Sequence, residues 1–222
     1  MRYWVETHLH TKEGSACASA SGAEQARARK AEGYDCIFVT DHFYRGNTRP
    51  DRNLPWEEYV REFCRGYREA KAEGDRIGLQ VFFGWEDNFH GAEFLCYGPD
   101  EAWLAAHPEM IRWTPEELYR EVKQAGGLVI QAHPFRQRPY LMGIGLYPQY
   151  CDGVEAYNLG QPAEQNERAV WYAKEFGLRM TAGSDVHGVE NVGGGMVFAR
   201  PFSTVQDYIS AVLSGETCEL RK

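Results

Sequence analysis

Apolar residues in this chain fall into short runs separated by polar, amphipathic stretches, and five of the runs end in a histidine or a carboxylate. Val5 leads to His8 and His10, and Cys36-Ile37-Phe38-Val39-Thr40 runs into Asp41-His42. Val81-Phe82-Phe83-Gly84-Trp85 ends at Glu86, and Leu128-Val129-Ile130-Gln131-Ala132 ends at His133. Met180-Thr181-Ala182-Gly183-Ser184 ends at Asp185-Val186-His187. Short apolar runs bounded by turn residues read as strands. They are predicted near residues 3–9, 35–40, 77–85, 93–97, 127–132, 153–157, 178–183 and 195–200. Helices are predicted at about 22–33, 56–73, 115–126, 163–177 and 204–214. Three of them open on a capping signal: Ser21-Gly22-Ala23-Glu24, Thr114-Pro115-Glu116-Glu117 and Ser203-Thr204-Val205-Gln206. In each, a hydroxyl and a residue three positions on can satisfy the free amides of the first turn, and Pro115 suits the first helical position.

Alternating strands and helices predict a mostly parallel sheet, open or closed into a barrel. Chemistry at the strand carboxyl ends favours the barrel, where function sits on that face. The helix count falls short of an eight-fold repeat, so the expected fold is α/β, a distorted TIM-like barrel of (β/α)7 type, with residues 1–222 as one domain. Two long loops leave site-bearing strand ends, Phe43 to Pro55 and Pro134 to Cys151. Such loops tend to be functional, and these are expected to shape a substrate pocket. They carry Arg45, Arg49, Arg52, Arg136 and Arg138. Arg136, three residues from His133, is the preferred anion contact.

Composition narrows the function. A net charge of −8 over 222 residues argues against electrostatic capture of nucleic acid, although bound metals would add local positive charge. Cys17, Cys36, Cys64, Cys96, Cys151 and Cys218 form no Cys-x-x-Cys pair and read as reduced core residues of a cytoplasmic protein. No basic segment followed by an apolar run opens the chain, so no signal peptide is expected. No apolar stretch is long enough for a membrane span. Trp4, Trp56, Trp103 and Trp171 are read as core.

If the strands converge, five imidazoles and at least two carboxylates meet in one pocket. That is a metal site, and it exceeds what one zinc ion needs. His8 and His10 are two apart on a strand and face the same way, and Asp185 and His187 repeat the spacing. One such histidine would read as a satisfied core residue; five at strand ends do not.

His8-Leu9-His10-Thr11, Thr40-Asp41-His42, Gly84-Trp85-Glu86, Ala132-His133-Pro134-Phe135 and Gly183-Ser184-Asp185-Val186-His187 resemble, in order, the successive motifs of the PHP (polymerase and histidinol phosphatase) family. The resemblance implies a distorted (β/α)7 barrel with two or three divalent ions at its carboxyl-end face. It implies hydrolysis of a phosphate mono- or diester by metal-activated water. By motif position, His8, His10, Glu86 and Asp185 would hold one ion. Glu86 would bridge to a second held with His133, and His42 and His187 would hold a third. Asp41 would orient a ligand through a hydrogen bond. Asp185 and His187 also count as catalytic.

The chain departs from the family pattern twice. Ser15 and Ala16 stand where family members often carry an aspartate or histidine, and Glu13 is the nearest substitute ligand. Glu93 stands on the strand where a histidine is common, and is a candidate ligand. His90 is read as a substrate contact or proton donor to the leaving group, a role also open to a metal-bound water. Asn158 is read as a substrate contact or a partner of an ordered water, and His107 as structural or surface. Mixed imidazole and carboxylate donors suit zinc, manganese or iron. The expected function is therefore a metal-dependent phosphoesterase acting on a small phosphorylated substrate. The alternatives are an exonuclease-like phosphodiesterase on nucleic acid, a metal-dependent hydrolase of a non-phosphate bond, or a non-catalytic metal-binding sensor or scaffold.

Overall fold

The computed structural model describes residues 2–139, 141–190, 192–216 and 219–221. Among the described residues, nine strands and seven α-helices follow one another along the chain. They run β1 (Tyr3–Leu9), α1 (Gly22–Glu32), β2 (Cys36–Val39), α2 (Trp56–Phe63), α3 (Arg65–Ile77), β3 (Gln80–Phe89), β4 (Ala92–Tyr97) and α4 (Glu101–Ala106). After a 3-10 turn at Pro108–Arg112 come α5 (Pro115–Gln124), β5 (Leu128–Ala132), β6 (Gly153–Asn158), α6 (Ala163–Phe176), β7 (Arg179–Gly183), β8 (Gly195–Phe198), α7 (Val205–Ser214) and β9 (Glu219–Arg221).

The strands form one sheet in the order β7-β6-β5-β4-β3-β2-β1-β8-β9. The sheet curls until the segment after β7 reaches the carboxyl end of β1. Asp185 N–H donates to His8 O at 3.0 Å, and His10 N–H donates to Val186 O at 2.9 Å. The Thr7 hydroxyl adds a bond to Ala182 O at 2.9 Å. The result is a nearly closed α/β barrel, as the alternation predicts.

The sheet is less parallel than predicted. β1-β2-β3 and β5-β6-β7 are parallel, but β4 runs antiparallel to both its neighbours. Only two residues, His90 and Gly91, join β3 to β4, both with positive φ (55° and 99°). A two-residue turn of that hand can only fold the chain back on itself. β8 pairs antiparallel with the first half of β1, and β9 with β8.

Three helix boundaries differ from expectation. The helix predicted at 56–73 breaks at Cys64 and resumes as α3. The break re-aims α3 to cross α1 closely, where a Cβ on Gly22 would collide with Gly66 O and one on Gly66 with the Thr11 hydroxyl. α4 was not predicted, although Asp100 caps it by accepting from Trp103 N–H. In α7 the capping box is Thr204 with Asp207, one residue later than expected. The boxes at Ser21 and Thr114 form as predicted.

α7 covers the barrel end where β1, β2 and β5 begin. Its Tyr208 ring lies 4.6 Å from Phe38 and 5.3 Å from Tyr97, within a buried cluster that includes Val5, Leu128 and Ile130. That apolar floor leaves the opposite end for polar side chains. Cys36, Cys64, Cys96 and Cys151 are buried free thiols, whereas Cys17 is exposed and Cys218 lies outside the described residues. Trp171 is exposed rather than core. No helix among the described residues is long and apolar enough to cross a membrane.

Candidate metal centre

The polar end of the barrel is where β1, β2, β3, β5 and β7 finish, so each strand delivers its terminal histidine or carboxylate to the same place. β4 runs the other way and contributes from its beginning, where Glu93 pairs in register with Ala132 beside His133. Three residues at this end of the barrel have strained backbones. Among the described residues, the non-glycine positions with positive φ are His90, His133 and Asp185. Such strain persists where the surroundings hold it, and it clusters at functional sites.

The donor atoms converge closely. His8 Nε2 and His10 Nε2 lie 3.0 Å apart. Asp185 Oδ1 is 3.1 Å from His10 Nε2 and 3.5 Å from His8 Nε2. Glu86 sits in the middle, with Oε1 3.1 Å from His133 Nε2 and 3.5 Å from His8 Nε2, and Oε2 2.7 Å from His42 Nδ1. Glu93 Oε2 is 3.6 Å from His133 Nε2 and 2.5 Å from Arg136 Nη2. The His187 ring stacks 4.3 Å from His10, and the His42 ring lies 4.3 Å from His10 on another side. Among the described residues, four groups fall close enough to share an ion: His8-His10-Asp185, His8-Glu86-His133, His42-Glu86-Glu93 and His10-His42-His187.

The residues around this cluster fix which ring nitrogen faces inward. Glu155 Oε1 lies 2.9 Å from His8 Nδ1. A carboxylate only accepts, so Nδ1 carries the proton and Nε2 carries the lone pair. His10 Nδ1 is 3.1 Å from Ser15 Oγ, whose own proton goes to Asp41 Oδ1 at 2.7 Å. His10 Nε2 is thereby also an acceptor. Asp41 takes further bonds from the Thr11 N–H and hydroxyl, and Ser15 Oγ also accepts from His42 N–H. Asp41 therefore orients His10 through Ser15.

This arrangement fits metal ions. Two imidazole lone pairs facing each other at 3.0 Å repel unless a proton is shared between them or a cation lies against both. His42 Nδ1 and Glu86 Oε2 are buried 2.7 Å from each other, and neither has a hydrogen-bond partner outside the cluster.

Without a cation the site's protons are shared unevenly. Burial opposes charge on His8, but Glu155, Asp185 and Glu86 raise its pKa well above the usual imidazole value. Burial together with the imidazoles of His42 and His187 holds His10 well below it. Burial would raise Glu86, yet His42 and His8 keep it well below the ordinary carboxylate range. Glu93 is raised by burial and by Glu86, against the opposing pull of His133 and Arg136.

A cavity of about 850 Å³ opens over the cluster. His42, Glu93 and His187 form part of its wall, with His90, Arg136 and Leu141 among the residues that complete it. This volume falls in the range of small-molecule sites.

Two candidates lie elsewhere. Glu13 does not reach the cluster: its Oε2 accepts from Gly22 N–H at 3.0 Å, at the start of α1, where partial positive charge favours a carboxylate. Asn158 does not line the cavity; its amide donates to Glu155 Oε2 at 2.8 Å and so supports the partner of His8. The loop arginines also divide. Arg45 is spent on Asp87 and on the carbonyls of Met110 and Trp113, and Arg52 holds the carbonyls of Tyr44 and Gly46. Arg49 bonds Lys12 O, and Arg138 bonds Gln137 O. His107 stacks on Trp103 away from the site.

Three contributors went unassigned from sequence. Glu155 and Glu6 are carboxylates inside strands, a pattern that demands buried partners. Glu6 Oε1 accepts from the backbone N–H of both His8 and Ser184, tying the two site-bearing segments together. Cys17, taken for core, opens onto the cavity. Burial alone would raise its thiol, but hydrogen bonds with His187 and His42 bring it down to about 6.

Residues 163–217 match the family model described as PHP-associated. No curated protein matches the chain. Among solved structures, a two-domain protein from Bacteroides vulgatus, described as containing a PHP-like metal-dependent phosphoesterase, superposes with a TM-score of 0.67 at 14% identity. The match covers 98% of this chain and 64% of that one, so the chain spans just under two thirds of that relative. A Bifidobacterium adolescentis protein, provisionally described as a metal-dependent phosphoesterase, gives 0.62 at 16% identity, covering 96% of each chain. An amidohydrolase from Chromobacterium violaceum, with sulfate bound and no metal, gives 0.62 at 15% identity, covering 97% of each. At these identities the likeness establishes the fold. With the family match, it bears out the PHP resemblance that the five motifs carry.

Proposed function

We propose that this protein is a metal-dependent phosphoesterase that hydrolyses a small-molecule phosphate ester with two or three divalent ions. The observation that carries this reading is the pair of inward-facing imidazole nitrogens, His8 Nε2 and His10 Nε2, held 3.0 Å apart beside Glu86 and Asp185 under an open cavity. Bound divalent ions supply Lewis acidity toward phosphoryl oxygens and lower the pKa of water. His8, His10, Glu86 and Asp185 would hold one ion, Glu86 with His133 and Glu93 a second, and His42 with His187 a third. Glu155, Ser15 and Asp41 keep the imidazoles oriented. Arg136 places a guanidinium at the cavity wall, where it neutralises charge on a bound phosphoryl group. His90, at the β3–β4 turn, stands at the same wall and is positioned to give a proton to the leaving oxygen. The acidic chain and the small-molecule scale of the cavity support a small substrate over a nucleic acid.

The test is hydrolysis of p-nitrophenyl phosphate, bis-p-nitrophenyl phosphate and a panel of phosphorylated metabolites, with manganese, zinc or iron added and Asp185→Ala as control. Metal-dependent turnover lost in the variant is expected, and the preferred ester separates monoesterase from diesterase. Metal-loaded protein inert across the panel, or an Asp185→Ala variant of full activity, would overturn the reading.

A further inference from the structure

We infer that a second cavity, walled by Tyr44, Phe89 and Trp113 beside the metal centre, is the subsite for the leaving alcohol of the substrate, and that this alcohol carries a planar aromatic ring. The inference deepens the proposed phosphoesterase reading and rests on it, because it names the class of ester. The second cavity, of about 590 Å³, adjoins the one over the cluster, and Arg45, Asn88 and His90 wall both. His90 is the residue set to protonate the leaving oxygen. An ester with its phosphoryl group over the ions therefore has its leaving group at this shared wall, and the second cavity begins there.

The lining selects a ring. Tyr44, Ile111 and Trp113 are only half-buried, so they keep apolar surface available to a ligand. The wall also carries the guanidiniums of Arg45 and Arg52 and no carboxylate, in a chain of net charge −8. Such a wall suits either an electron-rich ring or a second phosphate, and the guanidinium donors decide between them. Arg45 gives Nε and Nη2 to Asp87 and Nη1 to the Met110 and Trp113 carbonyls. Arg52 gives Nε and Nη2 to the carbonyls of Tyr44 and Gly46. With their edges occupied, guanidiniums still stack on aromatic faces. Arg45 already lies 4.0 Å from the centre of the Phe89 ring, and Arg52 5.9 Å from that of Tyr44. The subsite is held in shape as well. Asp87 is fully buried, and through Arg45 it ties the 3-10 turn and Trp113 to the loop after β2. Trp113 is braced in turn by the rings of Trp103 and His107, each 5.9 Å away. A pocket built in advance spares a ligand the cost of ordering it.

Phosphonates test the subsite apart from turnover. The full metal-loaded chain is titrated calorimetrically with phenylalkylphosphonates of increasing chain length. The unbranched alkyl and cyclohexylalkyl compounds of matching length are run beside them, and all are repeated in Trp113→Ala and Trp113→Phe. The best phenyl compound should bind on the order of 10–100-fold more tightly than its alkyl match, the gain from burying and stacking one ring. Trp113→Ala should erase most of that difference and Trp113→Phe should keep most of it. Because the difference is taken within each protein, a general loss of folded material does not enter it. Phenyl and alkyl compounds of equal affinity, or a preference that survives Trp113→Ala, would overturn the subsite. A cyclohexyl compound as tight as the phenyl one would overturn its aromatic class. The corresponding phosphate esters separate the two readings. Hydrolysis with no phenyl preference in kcat/KM would overturn the subsite and leave the phosphoesterase standing. A phenyl preference in binding with no ester hydrolysed would support the subsite as a ligand site and overturn the phosphoesterase. Binding of no phosphonate at all would overturn both.

Discussion

Glu155 Oε1 lies 2.9 Å from His8 Nδ1, and the other oxygen of the same carboxylate accepts from His133 N–H at 3.1 Å. One buried acid on β6 thus sets the posture of two donor residues on β1 and after β5. Replacing it with alanine should weaken metal binding by about 10–100-fold. Competition against a chromogenic chelator measures this, and unchanged affinity in Glu155→Ala would show that His8 needs no such support.

Metal should stabilise the fold, because ions bind the assembled cluster and not the separated strands. At a free concentration one hundred times the dissociation constant, the gain is about 2.7 kcal/mol. For a chain of this size that corresponds to a rise in Tm of roughly 5–10 °C. Thermal scans of stripped protein with added zinc, manganese or iron test this, and a flat Tm across all three would contradict it.

Metal uptake should release protons and tighten as pH rises. The His8 pKa is raised by Glu155, Asp185 and Glu86, so the stripped protein holds a proton there at neutral pH that an incoming ion must displace. Below that raised pKa, protons compete with metal; above it the competition ends. Calorimetry in buffers of differing ionisation enthalpy would count the protons, and a pH-independent affinity with none released would refute the coupling.

Arg136 should act on substrate affinity. Losing a charge-assisted hydrogen bond costs about 1.5–3 kcal/mol, so Arg136→Ala should raise KM for a phosphate ester roughly 10–100-fold, with Arg136→Lys in between. Steady-state kinetics with saturating metal decide this; an unchanged KM would remove Arg136 from the substrate site.

The crossing of α1 and α3 should tolerate no side chain. Gly22→Ala would drive a methyl into Gly66 O, and overpacking of this kind costs about 1–3 kcal/mol. Urea denaturation would show it as a lower midpoint with an unchanged slope. A neutral substitution would mean that the helices separate easily.

Much of the site was legible because its donors fall at the ends of strands. His8, His10, His42, Glu86, His133, Asp185 and His187 each follow an apolar run, and parallel strands bring such ends together. What escaped the pattern depended on local geometry. The reversal of β4 is set by the His90-Gly91 turn, where a histidine adopts a positive φ that few side chains favour. Glu13 was drawn to a helix terminus, an attraction that its spacing from His10 does not reveal. Cys17 reaches the cavity because two backbone hydrogen bonds, Ala16 N–H to Asn47 O and Ser19 N–H to His187 O, fix its loop, and such tethers leave no periodic trace. Glu155 did leave a trace, a lone acid within an apolar strand, but its partner is far away in the chain.

The seam between β1 and the segment after β7 has a consequence for how the protein is made. His8 and His10 lie on one side of it and Asp185 and His187 on the other, and the backbone bonds that close the barrel join the same two segments. A nascent chain carries its first two histidines long before their partners leave the ribosome. Ion capture therefore follows translation of almost the whole barrel, and in the mature protein the amides along this seam are those whose deuterium uptake should slow most when the ions arrive.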